Sequence, residues 1–148
     1  MRIREMTHSE CIAMVAKYHL ARLACAKDNV PYVIPIHYAH SGIHLYAFSM
    51  PGKKLDFLRA NPRACVLVEA LEGKHRWKSV VLDVVFHELQ NTAERDSECL
   101  KAWSLLSDDV DWWEPGALKP KPLATVAVSP HVFFDLAIIE TSGREATA

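Results

Sequence analysis

Glycine is scarce in this chain, 5 of 148 residues, and neither GxGxxG nor GxxxxGK[ST] occurs. The glycine-dependent cradles of dinucleotide-binding and P-loop proteins are therefore excluded. His87 and Glu88 begin like HExxH, but the fifth position is Asn91, so the second zinc ligand is missing. No GxSxG marks a nucleophile elbow. The 4 cysteines, at 11, 25, 65 and 99, include no CxxC and no close pair, and they read as small buried hydrophobes. No apolar run approaches the ~18 residues of a membrane span, and no secretory pattern opens the chain. A cytoplasmic protein without a membrane partner is expected. Charge of one sign is lacking too: Lys+Arg 17 against Asp+Glu 18 leaves a net charge of −1. Neither bulk charge nor a basic aromatic face advertises nucleic acid.

What is present is ordinary globular composition, 50% hydrophobic and 24% charged. The length fits one domain of the common ~100–200 residues, so residues 1–148 are read as a single domain. Thr7 and Glu10 form a capping box, with Met6 and Cys11 as its staple, and open a helix. An apolar strand follows over residues 20–27, a turn at Asp28-Asn29, and a β-branched strand over 30–39. A reversal at His40-Ser41-Gly42 leads into a strand over 43–49. Residues 53–60 read as a short helix stopped by Asn61-Pro62, and 63–71 as a strand. Residues 77–89 form a long strand with little alternation, as expected where both faces are covered. Asn91 caps a helix whose apolar stripe is Cys99, Leu100, Trp103 and Leu106. A loop with Trp112, Trp113 and Pro115 follows, then a β segment over 124–140 and a disordered polar tail from Thr141. The fold class is α+β, a six-stranded antiparallel β-barrel with short flanking helices.

Three local features carry chemistry. In Ser49-Met50-Pro51-Gly52-Lys53-Lys54, two lysines occupy the first turn of a helix, the end where the macrodipole is already positive. An anion held by backbone N–H groups, the ammonium groups and the Ser49 hydroxyl resolves that clash; two lysines snorkelling into water is the plainer alternative. In Val30-Pro31-Tyr32-Val33-Ile34-Pro35-Ile36, two prolines without an N–H suit an edge strand. In Trp77-Lys78-Ser79-Val80-Val81, an aromatic and a hydroxyl open a strand, as pocket rim or as barrel-end packing. Three histidines, His37, His40 and His44, surround one hairpin.

In this order, Ala21-Arg22-Leu23-Ala24, Pro31-Tyr32-Val33-Ile34-Pro35, Gly52-Lys53-Lys54-Leu55, Asn61-Pro62 and Trp77-x-Ser79-Val80-Val81 resemble the FMN-binding split-barrel proteins. The nearest group is the pyridoxamine 5′-phosphate oxidase-like, nitroimidazole-resistance-type family. The resemblance covers roughly residues 7–90, with a looser match to the end. It implies a split barrel and a homodimer with FMN in clefts between subunits. It places Ser49, Lys53 and Lys54 on the flavin phosphate, Val33, Ile34, Pro35 and Ile36 along the flavin ring, and Ser79 and Trp77 beside them. The implied function is an oxidoreductase passing electrons from NAD(P)H to a small acceptor such as a nitro compound or quinone. His37 and Tyr38, which follow the ring-facing strand, are the candidate proton donors. A non-catalytic flavin-sensing protein, or a haem- or deazaflavin-binding relative, are the alternatives; the three histidines support haem. The chain departs from the family at Ala21 and Val84, where glycine is frequent, and extra bulk there is expected to narrow the cleft. The C-terminal substrate residues of true pyridoxamine phosphate oxidases are not found.

Overall fold

The computed structural model describes residues 1–89, 101–102, 104–106 and 132–148. The expected helix start at Asn91 with Cys99, Leu100 and Trp103, the Trp112, Trp113 and Pro115 loop, and the first part of the last β segment lie outside the described residues. Ten elements follow in order: β1 (Arg2–Glu5), α1 (His8–Lys17), β2 (Leu20–Lys27), β3 (Val30–His37), β4 (Ala39–Ser41), β5 (His44–Ser49), α2 (Lys53–Ala60), β6 (Arg63–Leu71), β7 (Trp77–Glu88) and β8 (Val132–Thr147).

Local chemistry accounts for the boundaries. The Thr7 hydroxyl accepts from the Glu10 N–H at 3.2 Å, and the Glu10 carboxylate accepts from the Thr7 N–H at 3.0 Å. Both halves of the capping box are thus formed at the start of α1. Asp28 and Asn29 both have positive φ, 50° and 66°, the requirement of a two-residue type I′ hairpin loop between β2 and β3. Asn61, before Pro62, ends α2 and donates to the Ala26 carbonyl at 3.1 Å, fastening the helix to that hairpin. Arg59 pairs with Glu88 at 2.6 Å, fastening α2 to β7.

Every ladder is antiparallel, and the strand order is β3-β2-β6-β7-β8-β5-β4, with β1 also on β8. Among the described residues the sheet therefore has eight strands, not six. One extra strand is β1, Arg2–Glu5, four exposed residues too short to reveal a pattern. The other arises because the segment expected over 30–39 breaks at Tyr38, leaving β3 and β4 as separate strands. These two ends of the strand order are joined by that single residue, so the sheet curls back towards itself. Among the described residues no ladder joins β3 to β4, and the barrel is not closed. The expected tail is also a strand: β8 runs to Thr147, pairing with β7 throughout and with β1 at its end. In this last stretch Ser142, Arg144 and Thr147 face water, while Gly143 and Ala146 are buried.

The inner face of the curl holds the core. Leu23, Val66, Val68, Val80, Leu82, Val84, Phe134 and Leu136 are fully buried there, with Val15 from α1 and Leu55 and Leu58 from α2. Each such side chain contributes about 1.5–3 kcal/mol of burial. A second cluster on the opposite face joins Ala39, Tyr46 and Phe133 to Leu89, Ala102 and Leu106. The outer face of β7 is less covered than its apolar sequence predicts. Val81 is 39% exposed and Val33 on β3 is 61% exposed.

Candidate cofactor site

The two lysines stand at the N-terminus of α2. Gly52 precedes them in extended backbone and supplies no side-chain cap, so the first N–H groups of the helix look outward without a protein acceptor from a cap. Lys54 turns inward: it is half-buried, and its ammonium lies 3.5 Å from the Ser49 hydroxyl at the end of β5. Burial holds that ammonium below the ordinary lysine range. Among the described residues it has no carboxylate partner; Asp56, in the same turn, is exposed and pairs with neither lysine. Lys53 is exposed, yet its ammonium sits over the Tyr32 ring, 4.5 Å from the centroid, and 5.5 Å from that of Phe57. Both lysines act on the buried Cys25 thiol, opposing the burial that pushes it above the ordinary thiol range. Two cations therefore converge where β2, β3, β5 and α2 meet.

β3, the strand expected along the flavin ring, divides by parity. Ile34 and Ile36 lie opposite Leu23 and Ala21 and face the core, whereas Val33 and Pro35 lie opposite Ala24 and Arg22 on the outer, exposed face. β3 ends the strand order, the edge position that its two prolines require. Trp77 and Ser79 share the outer face of β7, with Ser79 between Glu69 and Arg144 in register. Trp77 lines a cleft of about 190 Å³ and Ser79 one of about 330 Å³, and neither cleft includes Ser49, Lys53 or Lys54. Within one chain the structure gathers Ser49, Lys53 and Lys54 and leaves Trp77 and Ser79 apart.

Tyr38, a candidate proton donor, is placed in the core. It is 1% exposed, and its hydroxyl donates to the Val15 carbonyl at 2.7 Å; burial pushes the phenol above its ordinary range. His37 closes β3 opposite Leu20, half-buried. The three histidines do not converge. His40 lies opposite the core residue Leu45 and contacts the Gly42 carbonyl at 2.7 Å, while His44 is on the other face and donates to the buried Asp135 at 2.8 Å. Among the described residues no three His, Cys, Asp or Glu side chains are grouped to hold a metal ion. Ala21 and Val84, at 2% and 0% exposure, point into the core.

The pyridoxamine 5′-phosphate oxidase family profile matches residues 7–145. The chain belongs to this family. One family relative, an uncharacterized protein of Rhizobium meliloti strain 1021, is 45% identical over 100% of this chain and 98% of its own. The crystal structure of a FAD-binding protein from Mesorhizobium loti is 46% identical, with a TM-score of 0.83 over 99% of this chain and 100% of that one. A candidate 5-nitroimidazole antibiotic resistance protein from Bacteroides thetaiotaomicron shares the fold alone, at 14% identity and a TM-score of 0.75 over 98% of this chain and 89% of that one. No helix among the described residues is long and apolar enough to cross a membrane.

Tyr32 and Phe57 are the residues of the site that sequence reasoning missed. Phe57 lies four residues after Lys53 and so on the same helix face, a signal that was available. Tyr32 stood inside the proline-flanked strand, where its inward direction was set only by pairing with Cys25.

Proposed function

We propose that this chain is a cytoplasmic flavoprotein that holds FMN with its phosphate at Lys53, Lys54 and Ser49. The observation that carries the reading is Lys54, a half-buried cation without a carboxylate partner among the described residues. Taking a charge partly out of water is costly unless an opposite charge meets it. A phosphate dianion at the uncapped start of α2 meets both lysines and the outward N–H groups. The relative from Mesorhizobium loti, a FAD-binding protein, favours a second reading, in which the same phosphate belongs to FAD.

Val33 and Pro35 offer the outer edge of β3 to the flavin ring, with backbone groups of the edge strand available to its polar rim. Ile34 and Ile36 support that strand from the core side. Trp77 and Ser79 meet the cofactor from a second subunit, which reconciles their separation from the lysines within one chain. The exposed Val33 and Val81 belong to the face that this homodimer covers. When bound, the flavin supplies hydride and electron transfer, from NAD(P)H to a small acceptor such as a nitro compound or quinone. The chain's own part is to clamp the phosphate, flatten the ring against β3, exclude water through the partner, and present His37 as the proton donor at the strand end.

Protein loaded with FMN and mixed anaerobically with NADPH or NADH tests the activity. Bleaching of the flavin band within seconds, and its return on adding a quinone or nitro compound, is expected. A flavin that stays oxidised with both donors overturns the oxidoreductase part. Sedimentation at twice the chain mass, reduced by Val33→Lys, tests the dimer.

A further inference from the structure

We propose that Tyr32 is a positioning residue for the anion site, holding the Lys53 ammonium beside Lys54 before any ligand arrives. The inference rests on the flavin-phosphate reading above and deepens it. A lysine at the first residue of a helix has every electrostatic reason to extend into water. The macrodipole is positive there, and a second ammonium follows at the next residue. A free lysine also retains about 2 kcal/mol of rotamer entropy. Lys53 instead lies over an aromatic face, 4.5 Å from the Tyr32 centroid, within the ~6 Å range of cation–π attraction.

The ring that receives it is itself braced. Phe57 meets Tyr32 edge-on, with centroids 5.5 Å apart at 61°, and Phe57 sits one helical turn below Lys53 on the same face. Tyr32 lies opposite Cys25 in the β2–β3 ladder, and the Cys25 thiol feels both lysines. The aromatic pair thus spans from the strand expected against the flavin ring to the helix expected on its phosphate. It keeps two like charges near one another, which only an incoming anion makes favourable. Because the ring itself takes no part in the anion's hydrogen bonds, its contribution is preorganisation.

The test measures binding of FMN and of riboflavin, which lacks the phosphate, by flavin fluorescence quenching. It compares the wild-type protein with Tyr32→Leu, Tyr32→Phe, Lys53→Met and the Tyr32→Leu/Lys53→Met double variant, each checked for an unchanged circular dichroism spectrum. Tyr32→Leu is expected to weaken FMN about two- to fivefold, the size of an exposed cation–π contact, with riboflavin unchanged. Tyr32→Phe, which keeps the ring face, is expected to bind as the wild type does. The double variant is expected to lose no more than Lys53→Met alone. An equal loss for FMN and riboflavin, or losses that simply add in the double variant, would overturn the positioning role while leaving the flavin reading intact. A wild-type protein that binds neither FMN nor FAD would overturn the flavin reading itself, and this inference with it.

Discussion

The Lys54 ammonium stands 3.5 Å from the Ser49 hydroxyl, half-buried, with no carboxylate opposite it among the described residues. Ser49 in turn donates to the Met50 carbonyl at 2.8 Å, so its lone pairs face the ammonium. The pair joins the end of β5 to the start of α2 across the turn that carries Gly52. A cation so placed destabilises the ligand-free chain and is matched when a dianion binds.

Replacing Lys54 by Met removes that cation and keeps its aliphatic stem. A hydrogen bond to a charged group is worth about 1.5–3 kcal/mol, so FMN affinity should fall roughly ten- to a hundredfold, while riboflavin affinity stays near the wild-type value. The ligand-free variant should melt no lower than the wild type, since a poorly solvated charge has been removed. Titration calorimetry with both flavins and a thermal melt check the two halves.

The pH dependence follows from the direction of the Lys54 shift. Burial lowers its pKa in the folded chain below the ordinary lysine value of 10.5. Between the folded and unfolded values the unfolded chain binds more protons, so Lys54's contribution to stability rises with pH through that window. Phosphate binding needs the ammonium form, so the FMN-to-riboflavin affinity ratio should fall as pH rises through the folded-state value towards 10.5. Lys54→Met should flatten that decline. Binding titrations across the alkaline range decide it.

Tyr38→Phe separates structure from catalysis. Its hydroxyl donates to the Val15 carbonyl inside the core, and removing it leaves a buried acceptor unsatisfied, at about 1–3 kcal/mol. Urea unfolding should show that loss, and flavin binding and NADPH-driven reduction should persist. A variant of normal stability with abolished turnover would instead establish Tyr38 as a proton donor.

Gly143 is held by sulfur. A Cβ at this position would lie 2.6 Å from the Cys11 Sγ and 3.1 Å from the Met6 Sδ. Gly143→Ala should destabilise the chain by about 1–3 kcal/mol through overpacking. Cys11→Ala in the same chain should recover part of it, and chemical denaturation of the two single variants and the double variant measures the coupling.

Much of this arrangement was legible in the residues. Thr7 and Glu10 announce α1, Asp28-Asn29 the β2–β3 turn, and Asn61-Pro62 the end of α2, because each is a local signal with one local solution. The place of Lys53 and Lys54 at the start of α2 was readable for the same reason, since Gly52 before them and Asn61-Pro62 after them bound one short helix. What was not legible depends on pairing at a distance. Ala21 and Val84 face the core because of the registers of β2 and β7, which no short window contains. The residues from Thr141 onward look like a tail until β7 and β1 take up both edges of β8. Tyr38 shares the inward parity of Ile34 and Ile36, but the break that ends β3 at His37 and starts β4 at Ala39 has no mark in the sequence.

Flavin binding through Lys53 and Lys54 is tested by the absorbance spectrum of the purified protein titrated with FMN and with FAD, beside the Lys53→Ala/Lys54→Ala variant. The wild type should retain a yellow, two-banded flavin spectrum at about one flavin per chain, and the double variant should release it on gel filtration. A wild-type protein that stays colourless with both flavins, or a double variant that retains flavin as tightly, would contradict it.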